Sequence, residues 1–241
     1  MAAKELSLVG SFPKPISWTQ TTEKALAAAN TWYPHTLDFK EVAGRGSIEV
    51  TTVWDFLLKI VHPPGALISR LNFFSHGNAD LIAMNGEILV DGSNVMLGAG
   101  ADDGWGEVIS RPGAIVDPYA TTWGTFGENG GTKNVTVKVT KFTLTDVRAR
   151  FTPDAIIWLY ICHAASNPAL FQEIANTFQV TVKGFAGEIL YCVPSDFPSN
   201  RKHKLAVMTT PKPPNPCETA VADFHGLDSD SRLRTALPKK P

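Results

Sequence analysis

The chain has little cysteine, with three in 241 residues. Three is an odd number and too few for a disulfide scaffold of this size, so a reducing compartment is the simplest expectation. On that reading Cys192 is a core residue behind an apolar strand, and Cys217 is incidental in a Pro-rich segment. There is no surplus of either charge: 22 Lys and Arg stand against 23 Asp and Glu, a net charge of −1. A nucleic-acid surface needs clustered cations to neutralise phosphates, so no nucleic-acid partner is expected. No run approaches the roughly 18–20 apolar residues that cross a bilayer, so no membrane span is expected. Met1 to Gly10 lacks a basic region followed by a long apolar segment, which excludes a cleavable signal peptide from the expectation. The expected location is the cytoplasm, or outside it by a route that uses no such signal. No Cys-x-x-Cys or His-Glu-x-x-His spacing is present, so no metal is expected. The Gly-rich stretch 98–106 lacks the Gly-Lys-Ser/Thr ending of a phosphate loop, and no cofactor is expected.

What is present suits a globular domain. Apolar residues make up 44% and charged residues 19%, enough to bury a sizeable core. Residues 6–9 read as a first strand and Ser17 to Trp32, with its Ala-rich run, as a helix. Thr36 to Val42 alternates loosely and reads as a strand. Val50 to Val61 has helical spacing. Ala66 to Ser75 reads as a strand ending at His76-Gly77. Residues 79–97 read as a β-hairpin about Asn85-Gly86. Residues 98–132 read as a long irregular insertion with a mini-core of its own, and Asn134 to Thr143 as an amphipathic strand. Leu144 to Phe151 reads as a short helix. Ala155 to Ile161 is continuously apolar, as a central parallel strand covered on both faces would be, and it ends at Cys162. Asn167 to Phe178 is expected to be a helix burying Leu170, Phe171, Ile174, Ala175 and Phe178. Strands follow at Val180 to Phe185, Glu188 to Val193 and Lys204 to Thr209. This alternation implies an α/β fold, a three-layer helix/sheet/helix sandwich with a mostly parallel central sheet. Residues 1–210 are expected to form a single domain and 211–241 a Pro-rich, polar tail, frayed from Asp228 onward.

Ligands of open α/β sheets bind beyond the carboxyl ends of the strands. Two reactive side chains stand at such ends, His76 and Cys162. A cysteine nucleophile needs a thiolate or a nearby base, and an imidazole supplies one. Attack on an amide also needs donors for the oxyanion, for which the backbone N–H groups of Gly77 and Cys162 are candidates. Taken singly, each residue has a plainer reading, the His as a satisfied polar residue and the Cys as a small core residue. His163 also reads as a core residue, with a second base or a substrate contact as alternatives. A metal site made of His76, Cys162 and His163 has no supporting spacing.

Leu71-Asn-Phe-Phe-Ser-His76-Gly77, then a hairpin, and later Ile156-Ile-Trp-Leu-Tyr-Ile-Cys162-His-Ala-Ala before a helix, resembles the layout of the caspase-like cysteine peptidases. The resemblance covers about residues 36–193 as an order of elements. It implies His76 as general base or acid, Cys162 as nucleophile, and Gly77 and Cys162 as the oxyanion hole. It also implies no cofactor, a protein or peptide substrate held by a polar pocket, and control by self-cleavage, an activating ligand or a partner protein. Tyr160-Ile161-Cys162-His163-Ala164 departs from the Gln-Ala-Cys-x-Gly of true caspases. Cys162 also follows His76 at more than the roughly 50 residues usual there, a gap that the 98–132 insertion explains. Asp154, Glu188 and Asp196 are candidates for charge near the cleft, and Arg111 for a cleavage point in the insertion. Two rival readings remain. One is a catalytically silent module that keeps the fold for binding or scaffolding. The other is a flavodoxin-like binder, which Gly10 to Pro15, with one Gly and two prolines, suits poorly.

Overall fold

The computed structural model describes residues 3–10, 38–51, 53–62, 66–77, 81–84, 87–91, 94–95, 114–116, 141–192, 204–208, 217, 220–221 and 223–239. Within these, six strands form a mostly parallel sheet. In chain order they are β1 (Lys4–Gly10), β2 (Ile48–Val50), β3 (Ile68–Phe74), β10 (Phe151–Tyr160), β11 (Thr181–Phe185) and β14 (Leu233–Ala236). Across the sheet the order is β14-β11-β10-β3-β1-β2. Only β14 runs antiparallel, pairing Val182 with Ala236 and Phe185 with Leu233. Between β3 and β10 the chain makes an excursion. A four-stranded antiparallel sheet comprises β4 (His76–Gly77), β5 (Leu81–Met84), β6 (Glu87–Asp91) and β7 (Asn94–Val95). A separate pair joins β8 (Ala114–Val116) to β9 (Lys141–Thr143). No helix among the described residues is long and apolar enough to cross a membrane.

Two apolar clusters cover the two faces of the sheet. On the first, Leu6, Leu8, Leu71, Phe73, Ile157, Leu159 and Val182 pack beneath α2 (Val53–Val61) and α4 (Pro168–Phe178). Alternation along each strand sends the next residues to the other face. There Val9, Phe74, Trp158, Tyr160 and Phe185 meet Phe39 and Val42, together with residues of β12 (Ile189–Cys192), β13 (Lys204–Val207) and the 3₁₀ helix Phe224–Leu227. Because both faces are buried, the 155–160 part of β10 reads as a continuous apolar run.

Local sequence explains the principal elements. The Asn167 side chain accepts from the N–H groups of Ala169 and Leu170, and Pro168 follows it at the first helical position. Both features favour a helix start there. Replacing Asn167 by alanine is expected to cost about 1 kcal/mol, a fall of about 2–4 °C in a thermal melt. The short helix α3 (Leu144–Arg148) begins at the expected residue, with a capping box between Thr143 and Asp146, and ends three residues before the expected Phe151, which starts β10. In β10 the register slips between Phe151 and Ile156. This irregularity accommodates Pro153, which has no N–H to give to a ladder, so the strand starts before the expected Ala155.

Three expectations are corrected. Residues 38–43 are helical (α1), not a strand, because Phe39 and Val42, three apart, are both buried on one side. The strand of this region is instead β2, which ends at Val50, where the stretch read as helix begins. The C-terminal residues are not a frayed tail: β14 is an edge strand of the main sheet. The segment before it is held by Arg70, whose guanidinium donates to Asp228 at 2.7 and 3.0 Å and to the Tyr160 hydroxyl at 2.9 Å. The same guanidinium lies 4.4 Å from the Trp158 ring centroid; burial lowers its pKa, but the Asp228 hydrogen bond and the charges of Tyr160, Asp228 and Glu5 together raise it. Finally, β12 and β13 form a two-stranded sheet of their own rather than extending the parallel sheet. The expected helix at 17–32 lies outside the described residues, as do the Asn85-Gly86 turn and most of the 98–132 insertion. The hairpin strands on either side of that turn do pair, as β5 with β6.

Candidate active site

The site grows from the two central strands. β3 and β10 are parallel neighbours with Phe74 opposite Tyr160. Their rings stack at 4.6 Å and 9°. His76 and Cys162 each lie two positions beyond that pair, at the carboxyl edge of the sheet. The His76 ring packs 4.9 Å from the Phe39 ring, and Cys162 packs against the same cluster that holds Phe39. The structure therefore brings both residues to one edge and one face of the sheet. Gly77 follows His76 in β4 and pairs with Ile82 of the hairpin.

The Cys162 thiol is engaged on both sides by a single residue. Its S–H donates to the Ile189 carbonyl at 3.4 Å, and its sulfur accepts the Ile189 N–H at 3.3 Å. Burial pushes its pKa up; the Ile189 N–H offsets this in part, and the Glu188 carboxylate adds to the rise. The resting group is thus a neutral thiol, and nucleophilic work would require a base. The linkage has a definite sign. As pH rises through the ordinary thiol value of about 8.5, the unfolded chain loses this proton before the native one does. Stability from Cys162 is therefore full below that value and declines above it. Thermal melts between about pH 7.5 and 9.5 should fall more steeply for the wild type than for Cys162→Ala; parallel slopes would contradict the assignment.

Two residues that sequence reasoning missed complete the surroundings. Tyr191 is half-buried, and desolvation of its phenol raises the pKa well above the ordinary value. Its hydroxyl donates to the Tyr160 carbonyl at 3.0 Å, and its ring lies 4.4 Å from Phe39. Phe39 thus sits in ring contact with both His76 and Tyr191. The one signal for Phe39 was its spacing from Val42, which is helical. Tyr191 had none beyond lying in an apolar strand.

The other expected site residues fall as follows. His163 is exposed, not in the core. The strand stops at Tyr160, and His163 takes a left-handed conformation with φ 56°. Its N–H donates to the Gly187 carbonyl at 2.8 Å, and its Nδ1 lies 3.3 Å from the Ala186 carbonyl oxygen. Ala164 and Ala165 are buried behind it. Glu188 is exposed but close enough for its charge to act on Cys162. Asp154 belongs to the opposite end of β10, away from the site. Asp196 and Arg111 lie outside the described residues. Among the described residues no three His, Cys, Asp or Glu side chains gather as a metal ion would require.

Cys192 is buried as expected, but the expectation of no disulfide, with Cys217 incidental, is corrected. Cys192 and Cys217 form a disulfide, with Cα atoms 5.8 Å apart. Val221 bridges Leu205 on β13, the strand that pairs with β12, which brings the chain next to Cys217 alongside it. Cys162 alone is free. No family model, curated protein or solved structure matches this chain, and the site stands on its own geometry.

Proposed function

We propose that the protein is a caspase-like cysteine endopeptidase, with its helices and sheet forming the three-layer sandwich of that group. His76 takes the Cys162 proton, the thiolate attacks a peptide carbonyl, and the N–H groups of Gly77 and Cys162 receive the oxyanion. Protonated His76 then returns the proton to the leaving amine, and water releases the acyl group. One observation supports the reading: His76 and Cys162 each lie two residues beyond the matched pair Phe74 and Tyr160, at the same end and on the same face of adjacent parallel strands. Carboxyl ends of such strands are where ligands of open α/β sheets bind. The substrate is a protein or peptide, and the chemistry needs no cofactor. Of the two locations considered, the Cys192–Cys217 disulfide favours the exported one, because disulfides persist in oxidising compartments.

The test is direct. The protein, with its disulfide closed and again after reduction by a dithiol, is incubated with a denatured protein mixture, and new N-termini are identified by mass spectrometry. Cuts that cluster after one residue type, and vanish in Cys162→Ala, are expected in at least one of the two states. Identical termini with both proteins in both states would sink the proposal. A silent binding module is the second reading, favoured by the resting thiol held on both sides by Ile189; it expects no new termini from the wild type under any activating condition.

A further inference from the structure

The strand that holds the thiol is itself stapled in place. Ile189, whose N–H and carbonyl both engage Cys162, is the first residue of β12, and Cys192 is the last. β12 is four residues long and, among the described residues, pairs only with β13 in a two-stranded sheet. Short two-stranded pairs are marginal without further support. Part of that support is the bond from Cys192 to Cys217, which spans β13 to the Val221 bridge on its other side. Further contacts come from Tyr191 to the Tyr160 carbonyl and from the Met208 N–H to the Glu188 carbonyl.

We propose that β12 is a redox-controlled latch on Cys162: with the Cys192–Cys217 disulfide closed, Ile189 holds the thiol, and reduction releases it. This regulation rests on the peptidase reading for its purpose, though not for its test. The reductant is a dithiol. Its thiolate attacks one sulfur, the Cys192–Cys217 bond breaks, and a mixed disulfide forms. The second thiol of the reductant then displaces the protein sulfur. Cys192 and Cys217 end as thiols, and the reductant ends as a disulfide, having lost two electrons and two protons. β12 is then tied only by its ladder and side-chain contacts. As Ile189 moves off, the sulfur gains access to water, to the imidazole of His76 and to substrate.

The experiment compares the wild type with C192S/C217S, whose one cysteine is Cys162. Iodoacetamide labelling at neutral pH is followed at Cys162 by mass spectrometry, and amide hydrogen exchange is followed in β12, β3 and β10. The expected result is labelling on the order of tenfold faster in the variant, with faster exchange in β12 and unchanged exchange in β3 and β10. An unchanged labelling rate overturns the latch. So does faster exchange throughout β3 and β10, because the disulfide would then support the whole fold; an unfolded variant gives that same result. Peptide cleavage separates the two proposals. Fast labelling without cleavage keeps the latch and removes the peptidase reading. Equal cleavage with the disulfide closed or absent removes the latch and keeps the peptidase.

Discussion

Cys162→Ala and His76→Ala are each expected to lower kcat/KM for peptide hydrolysis by a factor on the order of 10³–10⁴, and the double variant by about as much as either alone. The reason lies in the shared work of the pair. Without Cys162 no sulfur remains to form the acyl intermediate. Without His76 the sulfur stays a thiol, because burial holds its pKa up and the Ile189 carbonyl accepts its proton. Removing the second member of a unit that has already failed costs little more. Rates measured on one cleaved peptide for the four proteins give the comparison. Losses that multiply in the double variant would mean that the two residues act separately.

Phe74→Ala is expected to destabilise the protein by about 3–5 kcal/mol. Phe74 is fully buried on the face that carries the site. Its ring stacks on Tyr160 and meets Phe224 edge-on, with centroids 5.3 Å apart and planes at 80°. Alanine would leave a cavity between the two central strands and the 3₁₀ helix, directly below His76. Phe74→Leu keeps most of that volume and should cost less, about 1–1.5 kcal/mol. Chemical denaturation of the three proteins reports both values. A Phe74→Ala loss under about 1 kcal/mol would mean that this cluster is not the packed layer described.

The parts of the fold that were legible are those whose signals are local. β10 follows from a continuous apolar run, β3 and β11 from shorter apolar clusters, and α4 from 3.6-residue spacing, and the positions of His76 and Cys162 at strand ends follow from them. What was illegible depends on partners far away in the chain. The helix at 38–43 shows few residues of its period, so Phe39 and Val42 passed as loose alternation. β14 is polar on its exposed positions and becomes a strand only by pairing with β11. Cys192 and Cys217 meet through β13, which their spacing does not encode. The shell of the site was hidden for the same reason. Phe39, Ile189 and Tyr191 come from a helix and a separate two-stranded sheet, and nothing local assigns them to the edge of β3 and β10.

The measurement that bears most directly on the dyad is a crystal structure with a peptidyl electrophile bound covalently. The account predicts the peptide on the Cys162 sulfur and the His76 imidazole within about 3 Å of the reacting atoms. The N–H groups of Gly77 and Cys162 would face the carbonyl oxygen. A reagent attached elsewhere, or a His76 ring turned away from the sulfur with the peptide in place, would contradict it.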